Sequence, residues 1–437
     1  MKRRWLAFSV VVLALTTASA SSRADEPGSP AASGTAVLTQ EEALARFRTG
    51  SYELLARKYE VSAARADVLG AGLLANPQVG VTGAFLLHGV PSGGNKELYL
   101  TVTQNAPFAG QLGLRRDAAK GFATAAEREL AAEAWLLANE VRLAYVDLQV
   151  ADARLEAIER AAADLGRVER VIGERVGAGA NPPYDKARVT MERSALLERR
   201  TEAEAAVLAA RTALAEAIGR GVSPASLRVE KISGEPATVP DDGRPLVEEG
   251  KKRRAELAAA EARVTASLLR VAAARRGVVP APDVTLGYSH YFDIPNGAGS
   301  ASGGAFVAGL SFPIPVFDRA QGAVGRGNAE AEAERARARR VELTIEREIE
   351  LAHATVLVRK KAFVAYRDTI SSDVERLRQM AEVSYREGRA TILELLDAYG
   401  TYANARLRAI DLDGAARRAV ILLERAVGPR DPGARSP

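Results

Sequence analysis

Asp283-Val284-Thr285-Leu286-Gly287-Tyr288-Ser289-His290-Tyr291-Phe292-Asp293 alternates along its length. Val284, Leu286, Tyr288 and Phe292 fall on one side; Asp283, Thr285, Ser289, Tyr291 and Asp293 fall on the other. A period of two is the signature of a strand with two chemically different faces. Three further segments share it. Val79, Val81 and Phe85 oppose Gln78, Gly80, Thr82 and Ala84; Leu98, Leu100 and Val102 oppose Tyr99, Thr101 and Thr103; Phe306, Ala308, Leu310 and Phe312 oppose Val307, Gly309 and Ser311. Each run is of about ten residues, enough to cross the apolar layer of a bilayer when tilted. The links from His88 to Lys96 and from Pro295 to Gly303 are rich in Gly, Ser, Asn and Pro and suit exposed hairpin loops. Such runs would also serve a soluble hairpin domain. If they span a membrane, however, four cannot close a barrel, since the usual minimum is eight and lipid tolerates no open edge. Several copies would then have to share one barrel.

The strands recur because the chain is written twice, with a period of about two hundred residues. Each half runs through a helical stretch ending near a proline (Pro77, Pro280), a strand pair, a proline turn (Pro107, Pro315) and a very long Ala/Glu/Arg helix. Breaks follow near Gly179 and Gly388, and a shorter helix closes each half at Gly219 and Gly428. In the first long helix Val141, Ala144, Leu148, Ala151, Leu155, Ile158, Ala162 and Leu165 keep a three-four alternation. Ile172 and Val176 continue it, with Glu169 interrupting. In the second, Ile349, Val356, Phe363, Ile370 and Leu377 recur every seven residues, as in a coiled-coil seam. The stretch from Arg319 to Glu387 predicts a helix of roughly 100 Å at 1.5 Å per residue. That is a rod or tube rather than a globule, with interleaved charges marking solvated faces.

The expected organisation is a secretory signal over residues 1–24, a flexible segment over 25–38, a first repeat over 39–220, a Pro/Gly-rich connector over 221–245, a second repeat over 246–428, and a flexible tail over 429–437. Lys2, Arg3 and Arg4 before the apolar run Trp5 to Leu15, and the small residues up to Ala24, define the signal. Its removal takes four of the 60 basic residues and none of the 55 acidic ones, so the net charge of +5 falls to +1. No basic excess remains to suggest nucleic acid. The sequence contains no cysteine, which excludes disulfides, thiolate ligands, cysteine nucleophiles and an acylated N-terminal cysteine anchor.

Catalytic constellations are missing: no HExxH, no P-loop and no nucleophile elbow. The glycines from Gly322 to Gly327 lack the spacing and context of a dinucleotide site. His88, His290 and His353 are too scattered for a metal site, and three methionines are too few for a soft-metal relay. The expectation is therefore no enzyme, no cofactor and no resident metal.

Taken together, the signal, the twofold helix–hairpin–helix repeat and the proline turns resemble the TolC-type outer-membrane efflux proteins over about residues 39–428. Phe312-Pro313-Ile314-Pro315-Val316-Phe317-Asp318-Arg319-Ala320-Gln321-Gly322 and Tyr385-Arg386-Glu387-Gly388-Arg389-Ala390-Thr391-Ile392-Leu393-Glu394-Leu395-Leu396-Asp397-Ala398 carry the resemblance. The first is similar to the CzcC-like branch, which serves heavy-metal cation efflux. The resemblance implies a mainly α fold: long coiled-coil helices forming a trimeric periplasmic α-barrel, with four strands per protomer entering a shared 12-stranded outer-membrane β-barrel. It implies a passive homotrimeric duct in outer-membrane lipid, handed solutes by a periplasmic adaptor (membrane fusion protein) and an inner-membrane RND-type transporter. It places gate and selectivity acids at Asp185, Glu394 and Asp397, where rings of like charge favour cations. Tyr385 and Arg389 are the latch candidates, although the family's arginine position itself is Ala390. Gly179 and Gly388 mark the tips that meet the adaptor. The dipole of a helix start would by itself also favour Asp185 and Glu394. The competing reading is a periplasmic coiled-coil adaptor or scaffold.

Overall fold

The computed structural model describes residues 37–85, 87–88, 96–296 and 299–430. The signal, most of the flexible segment, the tail beyond residue 430 and most of the first hairpin link lie outside the described residues. Each half begins with two helices, α1 (Gln40–Gly50) and α2 (Tyr52–Ala71), or α5 (Arg244–Arg253) and α6 (Ala255–Arg276). Strands β1 (Gln78–Phe85) and β2 (Lys96–Asn105), or β3 (Asp283–Asn296) and β4 (Gly299–Ser311), follow. Next come the long helices α3 (Gln111–Gly177) and α7 (Gln321–Arg386), then α4 (Pro183–Ile218) and α8 (Ile392–Val427). At 67 and 66 residues, α3 and α7 are each about 100 Å long.

The four strands form one antiparallel sheet in the order β1-β2-β3-β4. Its register merges the four alternations: Val81 pairs with Leu100, Leu100 with Tyr288 and Tyr288 with Phe306, so the apolar sides share one face. Among the described residues nothing covers that face. Val79, Val81, Leu100, Leu286, Phe306 and Leu310 are all exposed, by 51–75%. The Thr/Ser/Tyr face is mostly half-shielded, and Thr103 Oγ1 meets Thr285 Oγ1 across it at 2.9 Å. The sheet therefore curves with its polar face inward and its apolar face outward, the reverse of a soluble sheet on a core. One expectation is corrected. The link from Pro295 to Gly303 is largely strand, because pairing continues past a bulge between Tyr291 and Ile294 to Asn296 and Gly299.

Both long helices start from a left-handed residue, Gly110 (φ 77°) and Ala320 (φ 59°). Beside each, a glutamine ties the turn: Gln111 Oε1 accepts from the Ala109 N–H at 2.9 Å, and Gln321 Oε1 from the Arg319 N–H at 2.6 Å. Below the sheet, α3 packs on α2, α4, α6 and α8, while α7 packs on α5, α6 and α8. Alanine permits the close approach. A Cβ on Gly121 of α3 would stand 2.8 Å from that of Ala266 on α6.

The seam of α3 is closed throughout: Val141, Leu148, Ile158, Ala162, Leu165 and Ile172 are buried. Glu169, its one polar member, accepts from Thr190 Oγ1 at 2.6 Å and pairs with Arg193 at 2.7 Å on α4. The α7 column departs from the expected continuous seam. Ile349 and Val356 are buried, Phe363 is half-buried and Leu377 is 46% exposed; the side chain of Ile370 lies outside the described residues. Past the reach of α5 and α6, α8 is the helix packed on α7 among the described residues.

The connector is strapped across the helices at mid-height. Leu227 enters the core with Leu148 and Leu214, Val239 packs against the Ile349 cluster, and His353 Nε2–H donates to Pro240 O at 2.7 Å. That contact occupies His353 as a packed residue. The segment expected to be flexible is anchored at its end: Leu38 is buried, bridges to Val229 and accepts from the Tyr145 hydroxyl at 2.9 Å.

Ala320 is the one non-glycine residue with positive φ among the described residues. A left-handed alanine costs about 1–2 kcal/mol, partly offset in glycine by chain entropy. Ala320→Gly should therefore stabilise the protein by about 1 kcal/mol, read as a higher unfolding midpoint in detergent; a lower midpoint would show that the turn is held by something other than local strain.

Candidate gate at the helix tips

The α3–α4 and α7–α8 turns solve one problem the same way. Gly179 and Gly388 both have φ 71°, and each sits in a helix-ending turn. The Gly179 N–H reaches Val176 O at 3.0 Å and the Ala180 N–H reaches Arg175 O at 2.8 Å; the Gly388 N–H reaches Tyr385 O at 3.1 Å and the Arg389 N–H reaches Ser384 O at 2.9 Å. Glycine serves here for its left-handed backbone, since a Cβ at either position meets nothing within 4 Å. Pro183 opens α4, where its missing N–H costs nothing.

Asp185, in the first turn of α4, is 8% exposed. Its Oδ2 accepts from Asn181 Nδ2 at 2.8 Å and from the Tyr385 hydroxyl at 3.2 Å. Asn181 Nδ2 also donates to the Tyr385 hydroxyl oxygen, at 2.9 Å. This triangle joins the tip of the first repeat to the last turn of α7. Beneath it Ile172, Val189, Ile392 and Leu395 form an apolar plug drawn from three helices, α3, α4 and α8. Burial and the Asp185 charge push the Tyr385 phenol up, which keeps it a proton donor throughout the neutral range. Asp185 is thus held between the tips in this conformation, rather than presented as a free charge.

Glu394 and Thr391 form a capping box at the start of α8: Glu394 Oε2 accepts from the Thr391 N–H at 2.6 Å, and Thr391 Oγ1 accepts from the Glu394 N–H at 3.3 Å. The Thr391 N–H and hydroxyl hold the Glu394 carboxyl below the ordinary carboxylate range. Asp397 is exposed one turn on and makes no ion pair among the described residues. Arg389 is 71% exposed and pairs with Glu387 on its own turn, so it does not reach the opposing tip.

A second tier escaped the sequence reading. Arg378 of α7 pairs with Glu375 at 2.7 Å and Glu382 at 3.3 Å. Its guanidinium lies over the rings of Tyr399 and Tyr402 on α8, at 5.5 and 5.3 Å. The hydrogen bond to Glu375 raises its pKa, making it a fixed cation above the tip. The Tyr399/Tyr402 spacing, which places two rings on one helix face, was the available signal. Using it required the α7–α8 register.

An open sheet with an outward apolar face, set on 100-Å helical hairpins with pinned tips, is the fold of TolC-type channel protomers. Residues 246–429 match the outer membrane efflux protein family, so the second repeat is a domain of that family. The whole chain is similar to the cobalt-zinc-cadmium resistance protein CzcC of Cupriavidus metallidurans, 23% identical over 394 residues and 90% of each chain. Among solved structures it is similar to CusC, with a TM-score of 0.71 at 18% identity over 89% of this chain and 92% of that one. It is also similar to the outer membrane protein VceC of Vibrio cholerae, with a TM-score of 0.68 at 18% identity over 89% and 96%. The mainly helical fold and the resemblance read from the sequence are thereby borne out.

Tyr385→Phe keeps the ring packed but removes the donor to Asp185. It should weaken the tip by about 1–2 kcal/mol, seen as faster hydrogen exchange around Ile172 and Val189; unchanged exchange would remove the triangle from the gate. The pH signs differ for the two tip groups. Tyr385, raised, contributes below its ordinary pKa and is lost as pH climbs through its folded value. Glu394, lowered, contributes above the ordinary carboxylate range and is lost as pH falls through its folded value. Exchange corrected for intrinsic rates should therefore rise at the α8 start in acid and at the Asp185 contact in strong base.

Proposed function

We propose that the protein is the outer-membrane component of a tripartite efflux system: a passive homotrimeric duct from periplasm to exterior. The observation that carries this is an unpaired symmetry. Within the chain β2 pairs with β3, α3 packs on α6, and α3 packs on α8. The repeat-related contacts would be β4 with β1, α7 with α2, and α7 with α4, and none is prominent within one chain. A neighbouring copy supplies all three at once. The surfaces suit this: α2 exposes Tyr52, Leu55, Tyr59 and Leu69, and α7 exposes Leu343, Leu351 and Val358. Closing β1 on β4 of the next copy also removes the two open edges that lipid would not tolerate.

The family resemblance supports three copies, hence a 12-stranded barrel and a helical tube crossing the periplasm. In this reading Asp185, Asn181 and Tyr385 pin each protomer's tips in the closed state. Glu394 and Asp397 line the aperture as carboxylate levels, and Gly179 and Gly388 shape the ends offered to a periplasmic adaptor fed by an RND-type pump. Nothing in the duct needs to transform its cargo, so the protein acts without catalysis. The likeness to a cobalt-zinc-cadmium resistance protein favours heavy-metal cations as cargo, passed on hydrated.

With no native cysteine, engineered thiols report without background. Thr82→Cys on β1 and Val307→Cys on β4 lie three strand spacings apart in one chain, about 14 Å, too far for a disulfide. Oxidised in membranes, with neighbouring positions scanned for register, the pair should yield covalent species up to three protomers and no larger. A chain that stays monomeric, or fractionates with soluble periplasmic proteins, would overturn the channel.

A further inference from the structure

The concave face of the sheet carries chemistry that the tips do not use. Up to Phe292 of β3, it bears the carboxylates Glu97 and Asp283 and, among the described residues, no lysine or arginine. Asp283 lies at the helix end of the sheet, where Asn105 Nδ2 donates to its Oδ1 at 2.8 Å. Glu97 lies at the opposite end, one residue inside β2, paired across the sheet with Ala84 and Tyr291. Tyr99 lies two residues along on the same face of β2. Ser289 pairs with Tyr99 and so lies diagonally beside Glu97.

Two oxygens here are enclosed without partners. Ser289 is 0% exposed, yet its Oγ has no hydrogen bond, and Glu97 Oε1 is likewise buried and unpartnered. Enclosed oxygens without donors are costly unless something positive meets them. A carboxylate flanked by serine and tyrosine hydroxyls is an all-oxygen set, the kind hard cations prefer.

We propose that Glu97, with Ser289, Tyr99 and Tyr291, forms a weak cation site on the inner wall of the strand section. The site repeats once per copy as a carboxylate collar near the mouth remote from the helices. The collar is a second cation-preferring level, about 100 Å or more from the tips. Weak, multiple sites of one sign suit conduction, because the ion must enter readily and leave again. The proposal rests on the channel reading, since a collar requires pooled strands.

Terbium(III) tests it in the detergent-solubilised oligomer, because nearby tyrosines sensitise its luminescence. Asp185→Asn serves as background, removing the tyrosine-flanked carboxylate between the tips, and the Glu97→Gln difference is read against it. A saturable tyrosine-excited signal is expected there, displaced by calcium and lost when Glu97→Gln is added. In planar bilayers under a potassium chloride gradient, Glu97→Gln should shift the reversal potential toward zero. An oligomeric, pore-forming Glu97→Gln protein with undiminished terbium signal and unshifted reversal potential would overturn the collar while leaving the channel standing. A wild-type protein that neither oligomerises nor conducts would overturn the channel itself, and the collar with it.

Discussion

Backbone hydrogen bonding at the edges of the sheet is the constraint on which the rest of the structure depends. Strands β1 and β4 each leave one row of N–H and C=O groups without a strand partner among the described residues. In water such edges are a liability; in hydrocarbon each unmet group costs several kcal/mol. The apolar convex face makes water the wrong solvent for this sheet, and the open edges make lipid the wrong solvent for a single copy. Sharing strands satisfies both demands. The internal repeat supplies the means, because a contact made between the halves of one chain can be made again between chains.

The helices extend the same logic away from the sheet. Their seams are rich in alanine, so α3 and α6 approach closely, while charged residues stay on solvated faces in pairs such as Arg263–Glu129 and Arg270–Glu330. Such exposed pairs contribute little individually. Length and seam continuity set the rod, and the mid-height strap of the connector, with Leu227 and Val239 in separate cores, holds the two halves together. Only at the tips do the helices depend on a few polar contacts. The Asp185–Asn181–Tyr385 triangle and the Arg378 tier are those contacts.

Much of this was legible in the residues. Alternation gave the strands and both faces, and the repeat of Pro, Gly and long Ala/Glu/Arg stretches gave the order of elements. Gly179 and Gly388 marked the turns because a left-handed backbone has few residues that suit it. Other features were opaque for a physical reason. The sequence cannot distinguish a carboxylate that lines an aperture from one that caps a helix, and Glu394 has the spacing for both. Arg389 sits beside the expected latch position, yet its ion pair closes on its own turn. Arg378, which does engage aromatic rings, is far in sequence from Tyr399 and Tyr402.

The sequence by itself determined the periodicities: where strands and helices run, which side of each is apolar, and that four strands are too few to close. Those follow from local geometry, which repeats every two or 3.6 residues and needs no knowledge of neighbours. Only the tertiary structure decided the register that merges four apolar stripes into one convex face, the partner that takes each carboxylate at the tips, and the enclosure of Glu97 and Ser289 on the concave wall. Those depend on which distant residues meet, and a pairing across two hundred positions is fixed by packing rather than by any pattern along the chain.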